Sequence, residues 1–262
     1  MPLFSQPHDH PVMNLQRISN YQASPGLLKE RIILVTGAGD GIGQAAAKTF
    51  AAHGATVILL GKTIPKLERT YDEIVDAGGP QPAIIPLDLE GASYDDYLQV
   101  ADSIEKEFGR LDGLLHNAGI LGALTPIQQY DLKMWAQVLQ VNLTAPFLLT
   151  RALLPLLKKS TDARILFTSS GVAHQGRAYW GAYGVSKAGQ DNLMGVLADE
   201  LESNTSIRVN SIDPGRVRTR MRALAYPGEE PTMNPAPEEI MTTYLYLMGP
   251  DSKEVTGQLY QV

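Results

Sequence analysis

The stretch RIILVTGAGDGIGQAAAKTFAAHGATVILLG, residues 31–61, decides the fold. An apolar, β-branched run ends in glycines, helix-forming residues follow until Gly54, and a second apolar run begins directly afterwards. The simplest interpretation is a strand, a turn, a helix and a second strand. Because neither apolar run alternates with polar residues, both strands should be covered on both faces, as in a parallel sheet.

The same unit repeats along the chain. Further strands are predicted at 82–89, 111–119, 163–170 and 206–215, and helices at 66–79, 94–109, 132–159, 188–203 and 239–249. This alternation predicts an α/β fold in one domain over residues 31–262: a Rossmann-type doubly wound parallel sheet between two helical layers, after an N-terminal arm at 1–30. Ligands of such a sheet bind beyond the carboxyl ends of its strands. The proline-rich segment 225–239 is predicted to be a lid or a binding loop.

Composition narrows the class of partner. The 262 residues are 44% hydrophobic and 19% charged, which is ordinary for a globular protein. A formal charge of −6 argues against a nucleic acid or an anionic membrane surface as partner, so a small-molecule ligand is expected. The longest apolar stretch, 143–157, is broken by Arg151 and two prolines and is too short to span a bilayer.

Cysteine is absent, which excludes disulfides and a thiolate nucleophile and suits a reducing cytoplasm. The first 30 residues show no apolar signal core, so no secretion signal is predicted. The segment PHDHP at 7–11 holds two histidines and an aspartate, which are side chains able to ligate a metal. Flanking prolines and the lack of further histidine or cysteine clusters favour a terminal arm instead, and no metal site is predicted.

The turn TGAGDGIG, residues 36–43, places Gly37, Gly41 and Gly43 between a strand and a helix. Glycine lets the backbone approach a pyrophosphate, and the following helix N-terminus supplies free N–H groups. The spacing is G-x-x-x-G-x-G, and glycines alone also fit an ordinary tight turn. At the end of the second strand, the place of the acid that binds a ribose 2′-hydroxyl in NAD sites is taken by Gly61 and then Lys62. This favours NADP, although the charge of Asp40 opposes a 2′-phosphate and NAD remains possible.

Two more strand ends carry candidate cofactor contacts. Asp88 follows the third strand and is suited either to an adenine amino group or to capping a turn. Asn117 in the segment NAG, 117–119, can bond neighbouring main chain beside a backbone that a flat ring can approach. Asn142 falls within an apolar helical pattern, where a buried amide must be satisfied by a water at a helix kink or by core hydrogen bonds.

The segment AYWGAYGVSKAGQ, 178–190, sets Tyr183 four residues before Lys187. Residues at this spacing on a helix are neighbours, so the phenol and the ammonium can act on one bound molecule. An isolated pair at this spacing is as easily a surface feature. An ammonium beside a tyrosine lowers the pKa of the phenol from its usual value near 10.

Taken in order, TGAGDGIG, LHNAG, Asn142, FTSS, YGVSK and DPGRVRT resemble the motifs of the short-chain dehydrogenase/reductase family, of the simple one-domain type. The resemblance covers about residues 31–259 and is closest to a group of bacterial oxidoreductases. It implies a catalytic tetrad of Asn142, Ser170, Tyr183 and Lys187, where Ser170 is preferred to Ser169 because the family serine lies 13 residues before the tyrosine. The expected cofactor contacts are Gly37, Asp40, Gly41, Ile42, Gly43, Lys62, Asp88, Leu89, Asn117, Ala118, Gly119, Tyr183, Lys187, Pro214, Gly215, Val217 and Thr219.

The resemblance also implies the chemistry. Tyr183 exchanges a proton with the substrate oxygen, Ser170 holds that oxygen, Lys187 binds the nicotinamide ribose and Asn142 holds a water. The expected substrate contacts are Ser170, His174, Tyr179 and Tyr183, with Leu121, Leu124 and Trp180 as further candidate pocket residues. Arg216 stands where the family has a smaller residue and points either to substrate or to solvent. The family commonly forms dimers or tetramers.

Three functions are compatible with these residues. The first is an NADP-dependent alcohol dehydrogenase or carbonyl reductase. The second is a dinucleotide-binding sensor or interaction protein without turnover, whose mark would be the loss of Ser170, Tyr183 or Lys187, and all three are present. The third is an enzyme that acts on an enoyl or imine bond, against which the serine-to-tyrosine spacing of 13 argues.

Overall fold

The strands of the structure, a computed structural model that describes residues 15–18 and 20–262, form one parallel sheet. Its order is β1-β8-β7-β6-β5-β2-β3-β4. The strands are β1 (Leu15–Gln16), β2 (Ile32–Thr36), β3 (Thr56–Gly61), β4 (Ala83–Pro86), β5 (Gly113–His116), β6 (Arg164–Thr168), β7 (Arg208–Asp213) and β8 (Leu259–Gln261). All six predicted strands are present, each shorter than predicted, and every pairing is parallel.

Helices cover both faces of the sheet. They are α1 (Gly41–Ala52), α2 (Ile64–Asp76), α3 (Tyr94–Phe108), α4 (Leu132–Leu139), α5 (Ala145–Leu157), α6 (Gly171–His174), α7 (Gly181–Glu202), α8 (Arg220–Ala225) and α9 (Met241–Met248). One apolar core joins the sheet to α3, α5 and α7, and a second joins it to α1, α2 and α9. The predicted three-layer, doubly wound α/β fold is therefore confirmed.

Two short strands, β8 and β1, were not predicted, and they extend the sheet beyond β7. Leu259 of β8 pairs with Ser211 of β7, and Leu15 of β1 pairs with Leu259 in turn. Within the predicted arm, Leu28 is fully buried and its N–H donates to the carbonyl of His53. The described part of the arm thus packs on the domain, whereas the segment 7–11 lies outside the described residues.

The helix predicted at 132–159 is interrupted. Residues Gln140–Thr144 form a π-helical turn between α4 and α5. Pro146, in the first turn of α5, has no N–H to donate to the carbonyl of Asn142 four residues earlier, which disfavours a continuous α-helix here. Such turns are frequent at functional sites, and this one contains the fully buried Asn142.

No helix in the described part of the chain is long and apolar enough to cross a membrane. Within residues 15–18 and 20–262 there is also no group of three histidine, aspartate or glutamate side chains placed to hold a metal ion.

Candidate active site

The turn between β2 and α1 is shaped by glycine. Gly37 has φ +67°, and a Cβ there would lie 3.0 Å from the Cα of Ala118. A Cβ on Gly43 would lie 2.3 Å from the carbonyl oxygen of Gly37. Side chains are therefore excluded from both positions, and the turn packs directly against the end of β5. The N-terminus of α1, with Gly41 and Ile42 as its first residues, opens beside this turn, which is the arrangement that binds a pyrophosphate.

Hydrogen bonds tie together the carboxyl ends of β2, β5 and β6. The hydroxyl of Thr36 accepts from the N–H groups of Asn117 and Ala118, each at 3.0 Å. The amide of Asn117 donates to the Thr36 carbonyl at 3.3 Å, and Thr168 donates to the Asn117 oxygen at 3.4 Å. Asn117 therefore bonds neighbouring main chain, as its position predicted. A Cβ on Gly119 would lie 3.3 Å from Asn142 and 3.8 Å from the Lys187 amine, so the segment 117–119 adjoins the candidate catalytic residues.

The ends of β3 and β4 carry exposed charges. Lys62 lies 3.9 Å from the carboxylate of Asp88, and both side chains are more than half exposed. Asp88 also accepts from the N–H of Glu90, which is the turn-capping role considered for it. Asp40 forms an ion pair with Lys66 at 2.5 Å, and the Lys66 ammonium holds the pKa of the Asp40 carboxyl below its usual value. The negative charge that opposed a 2′-phosphate is thus neutralised within the protein.

Tyr183 and Lys187 lie buried on α7, with the Lys187 amine 5.9 Å from the centre of the Tyr183 ring. The amine donates to the carbonyl of Thr168 at 2.6 Å and to the side chain of Gln190 at 3.1 Å. Burial raises the pKa of Tyr183 to about 12, against a smaller lowering by the nearby Ser170 hydroxyl. Burial lowers the pKa of Lys187 to about 8. In the protein alone, the pKa of Tyr183 is therefore shifted opposite to our expectation, because burial outweighs the stabilisation of the phenolate.

Ser170 and Ser169 have different neighbouring side chains in the structure. Ser170 is half-buried at the start of α6, near enough to Tyr183 that its hydroxyl lowers the pKa of the phenol. Ser169 is buried and donates to the carboxylate of Asp191 at 2.5 Å. The serine selected by spacing is thus the one beside the phenol.

Asn142 is satisfied by core hydrogen bonds. Its side-chain oxygen accepts from the N–H of Ile120 at 2.8 Å, and its nitrogen donates to the Ile120 carbonyl at 2.9 Å. The second amide hydrogen is donated to Ser186 on α7 at 3.0 Å. Of the two possibilities for a buried amide here, the structure shows core bonding, which joins the π-helical turn to α7 and to the strand-end loop.

A cavity of about 470 Å³ opens beside Ser170. Its walls include Arg177, Trp180, Arg216, Arg222, Tyr226 and Gln261. Trp180 lies 5.7 Å from the ring of Tyr183, so it links the cavity to the phenol. The cavity lies toward β7 and β8, on the opposite side of the glycine turn from Lys62.

Several predicted substrate contacts do not line this cavity. His174 lies 3.5 Å from the carboxylate of Asp191, and Tyr179 is 58% exposed with φ +74°. Leu121 is buried and Leu124 is exposed. Only Ser170 and Trp180 of the predicted pocket residues belong to the cavity wall.

The loop after β7 contains the other expected cofactor contacts. Gly215 donates its N–H to Asp213 at 3.0 Å, next to the half-buried Pro214. Val217 is buried, and the hydroxyl of Thr219 accepts from the N–H of Arg222 at the start of α8. On the other side of the turn, Leu89 is buried, and its carbonyl accepts from the Gln140 side chain at 3.4 Å.

Sequence reasoning singled out Arg216, which lines the cavity, but missed Arg177, Arg222 and Asp191. Arg177 and Arg222 lie in loops and a short helix whose positions depend on contacts far apart in the chain, so no local pattern indicated them. Asp191 had a signal, since it lies four residues after Lys187, at the same spacing that drew attention to the tyrosine and lysine.

Comparison with known proteins agrees with this geometry. The model of the short chain dehydrogenase family matches residues 31–230. The uncharacterized oxidoreductase YciK of Escherichia coli (strain K12) is 48% identical over 241 residues, 92% of this chain and 95% of that protein. A short chain dehydrogenase structure from Pseudomonas syringae is 58% identical, with a TM-score of 0.92 over 93% of this chain and 99% of that one.

A further solved structure carries a ligand. The short chain dehydrogenase from Escherichia coli CFT073 complexed with NADPH is 49% identical, with a TM-score of 0.88 over 91% of this chain and 98% of that one. Sequence, fold and strand-end geometry agree: the chain belongs to the short-chain dehydrogenase family, whose members are nicotinamide-dependent oxidoreductases.

Proposed function

We propose that the protein transfers hydride between NADP(H) and a carbonyl or alcohol substrate, with Tyr183 as the general acid and base. The observation that carries this proposal is the buried phenol of Tyr183, which lies between Ser170 and Lys187 and adjoins the cavity through Trp180. Nicotinamide chemistry needs such a group, because the alcohol and carbonyl forms of a substrate differ by a proton as well as a hydride.

The charge around Lys62 supports NADP. No acid stands at the end of β3, where an NAD site holds one, and Lys62 and Lys66 both project from this side of the turn. Lys66 also neutralises Asp40. The homologous protein from Escherichia coli CFT073 was solved with NADPH.

The other proposed cofactor contacts lie in loops that follow the carboxyl ends of the strands. Gly37 and Gly43 let the turn pack closely against the end of β5, which places the N-terminus of α1 where a pyrophosphate would bind. Thr219 of the loop 214–219, the candidate loop for the nicotinamide, adjoins Gly41. A bound NADPH supplies the hydride, and the protein orients the cofactor and the substrate and supplies the proton.

For the reduction direction, Tyr183 donates its proton to the carbonyl oxygen of the substrate. Ser170 donates a hydrogen bond to the same oxygen and stabilises its developing charge. Loss of the proton leaves a phenolate, which the nearby ammonium of Lys187 stabilises. The carbonyl of Thr168 and the side chain of Gln190 fix that ammonium in place.

Cofactor preference is tested by titration with NADPH and NADH. We expect NADPH to bind at least tenfold tighter, about 1.4 kcal/mol. The variant Lys62→Ala should lose most of this preference, whereas Lys158→Ala, an exposed lysine beyond the end of α5, should retain it. Tighter binding of NADH by the wild type would overturn the assignment of Lys62.

Catalysis is tested with a panel of aldehydes and ketones and the variant Tyr183→Phe, followed by the oxidation of NADPH. We expect a loss of about 10³-fold in kcat/KM with unchanged NADPH affinity, since the ring is kept and only the proton donor is removed. Tyr71→Phe, a half-buried tyrosine on α2, is the control. A binding protein without turnover would show NADPH binding and no reduction by either form, and full activity of Tyr183→Phe would exclude Tyr183 as the acid.

For the assembly, we propose a homodimer or homotetramer built on α5 and α7. Val185 and Val196, three helical turns apart on one side of α7, are about half exposed, and Phe147 on α5 is 44% exposed. Light scattering on the wild type and on Val185→Asp tests this proposal. We expect a multiple of the chain mass for the wild type and the mass of one chain for the variant.

A further inference from the structure

The cavity beside Ser170 carries more positive than negative charge. Three arginines line it: Arg177, Arg216 and Arg222. Arg222 is neutralised, because Glu229 accepts from two of its nitrogens at 2.6 Å and is held by Asn234 at 2.9 Å. This bidentate pair fixes the start of the proline-rich segment against α8.

The other two guanidinium groups have no acidic partner within the described residues. Arg177 donates to the hydroxyl of Tyr226 at 2.8 Å, and its guanidinium carbon lies 5.8 Å from that ring. Arg216 forms neither a side-chain hydrogen bond nor an ion pair with any residue in the described part of the chain, although its charge helps hold the pKa of Glu229 low. The acid in the cavity wall, Asp213, is 3% exposed and accepts from Gly215 at the base of the loop.

We propose that the substrate carries an oxyanion, a carboxylate or a phosphate, which Arg216 and Arg177 bind while its carbonyl group lies against Ser170. Guanidinium groups bind such oxyanions through paired, charge-assisted hydrogen bonds. Trp180 lies 5.7 Å from the ring of Tyr183 and 6.0 Å from the ring of Tyr226, which Arg177 contacts, and these two aromatic rings suit an apolar or planar spacer. This inference rests on the proposed function and extends it to the class of substrate.

The test compares matched substrates that differ in charge. The probes are para-acetylbenzoate with its methyl ester, levulinate and its longer homologues with their methyl esters, and para-acetylphenyl phosphate with para-acetylphenol. For at least one pair, we expect kcat/KM with NADPH to be tenfold or more higher for the anion than for its neutral counterpart. The preferred pair distinguishes a carboxylate from a phosphate.

Variants of the cavity arginines test whether these residues cause the preference for the anionic substrate. In the double variant Arg177→Gln/Arg216→Gln, the ratio between anion and neutral partner should fall at least tenfold, mainly through KM of the anion. Arg220→Gln is the matched control, because Arg220 is an exposed arginine on α8 that does not line the cavity, and it should keep the ratio of the wild type. Equal or better reduction of the neutral partners, or an unchanged ratio in the double variant, would overturn the proposal.

A calorimetric experiment distinguishes a failure of this inference from a failure of the proposed function. If no carbonyl compound is reduced although NADPH binds, the proposed function fails. Binding of para-acetylbenzoate and its methyl ester to the complex with NADP⁺ then decides the inference alone. Tenfold tighter binding of the acid, lost in the double variant and kept in Arg220→Gln, supports it, and equal binding of acid and ester refutes it.

Discussion

The sheet has an amino edge, where its parallel strands begin, and a carboxyl edge, where they end. The two differ in how buried charges are paired. At the amino edge, Asp112 accepts from the N–H of Ile32 at 2.9 Å, from Ser160 at 2.6 Å and from Arg110 at 3.1 Å. At the carboxyl edge, the buried Lys187 forms no ion pair among the described residues and bonds only to a carbonyl and an amide. The first edge pairs its buried acid with an arginine, and the second leaves the ammonium of Lys187 without an ion pair.

A second ion pair completes the amino edge. Arg164, the first residue of β6, is fully buried and lies 2.6 Å from the carboxylate of Asp162, which also binds Arg31 at 2.8 Å. These bonds join the starts of β2 and β6 to the turn before β6. Removing one partner of a buried ion pair is strongly destabilising, because the other charge is left uncompensated, whereas an unpaired buried cation shifts its own pKa and that of its neighbours. The carboxyl edge is accordingly the one to which we assign proton transfer in the proposed function.

The largest expected effect comes from removing the unpaired cation. Lys187→Met keeps the length of the side chain but takes away the charge that stabilises the Tyr183 phenolate. We expect kcat/KM to fall by about 10²- to 10³-fold. The free energy of unfolding should change by less than about 1 kcal/mol, because a buried charge is costly to keep even when hydrogen bonded.

Steady-state kinetics and urea unfolding measure both quantities in one preparation. A loss of several kcal/mol without loss of activity would mean that Lys187 belongs with the stabilising charges of the amino edge.

The converse change is Asp112→Ala at the amino edge. It leaves Ser160 and the N–H of Ile32 without their acceptor and Arg110 without its counter-ion. We expect a loss of about 3 kcal/mol in the free energy of unfolding, with kcat/KM within about twofold of the wild type below the transition.

The control is Asp102→Ala, which removes an exposed pair with Lys106 on α3 and should cost no more than about 0.5 kcal/mol. If Asp112→Ala and Asp102→Ala lose the same free energy of unfolding, the buried hydrogen bonds and ion pair of Asp112 contribute no more to stability than an exposed ion pair.

A third effect is a pH dependence of stability at the carboxyl edge. In the folded protein, burial lowers the pKa of Lys187 from 10.5 to about 8. Between these values the unfolded chain binds more protons than the folded one, so the free energy of unfolding rises with pH. Tyr183, whose pKa burial raises to about 12, opposes this rise only above the usual tyrosine value of 10.0.

We therefore expect the wild type to gain about 2 kcal/mol relative to Lys187→Met between pH 8 and pH 10. Urea unfolding of both proteins across this range measures the difference. Parallel curves would show that Lys187 remains protonated throughout.

Some features of the sheet and of its carboxyl edge could be predicted from the sequence, and others could not. Local patterns predicted the six strands β2 to β7, the glycine turn and the spacing from Ser170 through Tyr183 to Lys187. They did not predict β1 and β8, because strands of two and three residues exist only through pairing with β7 and with each other.

Pairings between distant residues were equally hidden from the sequence. Asp112 and Ser160 are 48 residues apart, and the Arg177–Tyr226 bond spans 49. The raised pKa of Tyr183 depends on its burial, which a motif does not report. Residue identity and spacing thus indicated the candidate catalytic residues, whereas their electrostatic state required the packed structure.

The smallest expected effect, and the sharpest test of charge at the carboxyl edge, is Asp191→Asn. Asp191 is 2% exposed, one turn beyond Lys187, and faces the hydroxyls of Ser169 and Ser211 and the His174 ring. Its charge raises the pKa of Lys187 against the dominant lowering by burial. Asparagine keeps the shape and an acceptor for Ser169 but removes the charge, so the pKa of Lys187 should fall further.

Because only protonated Lys187 stabilises the phenolate, the alkaline limb of the kcat/KM profile should move to lower pH in Asp191→Asn. The value near pH 6 should stay within about threefold of the wild type, since Lys187 is protonated there in both proteins. Glu200→Gln, an exposed acid further along α7, should leave the limb in place. An unmoved limb in Asp191→Asn would mean that the Asp191 carboxyl is itself protonated and contributes no charge to the site, because burial raises its pKa.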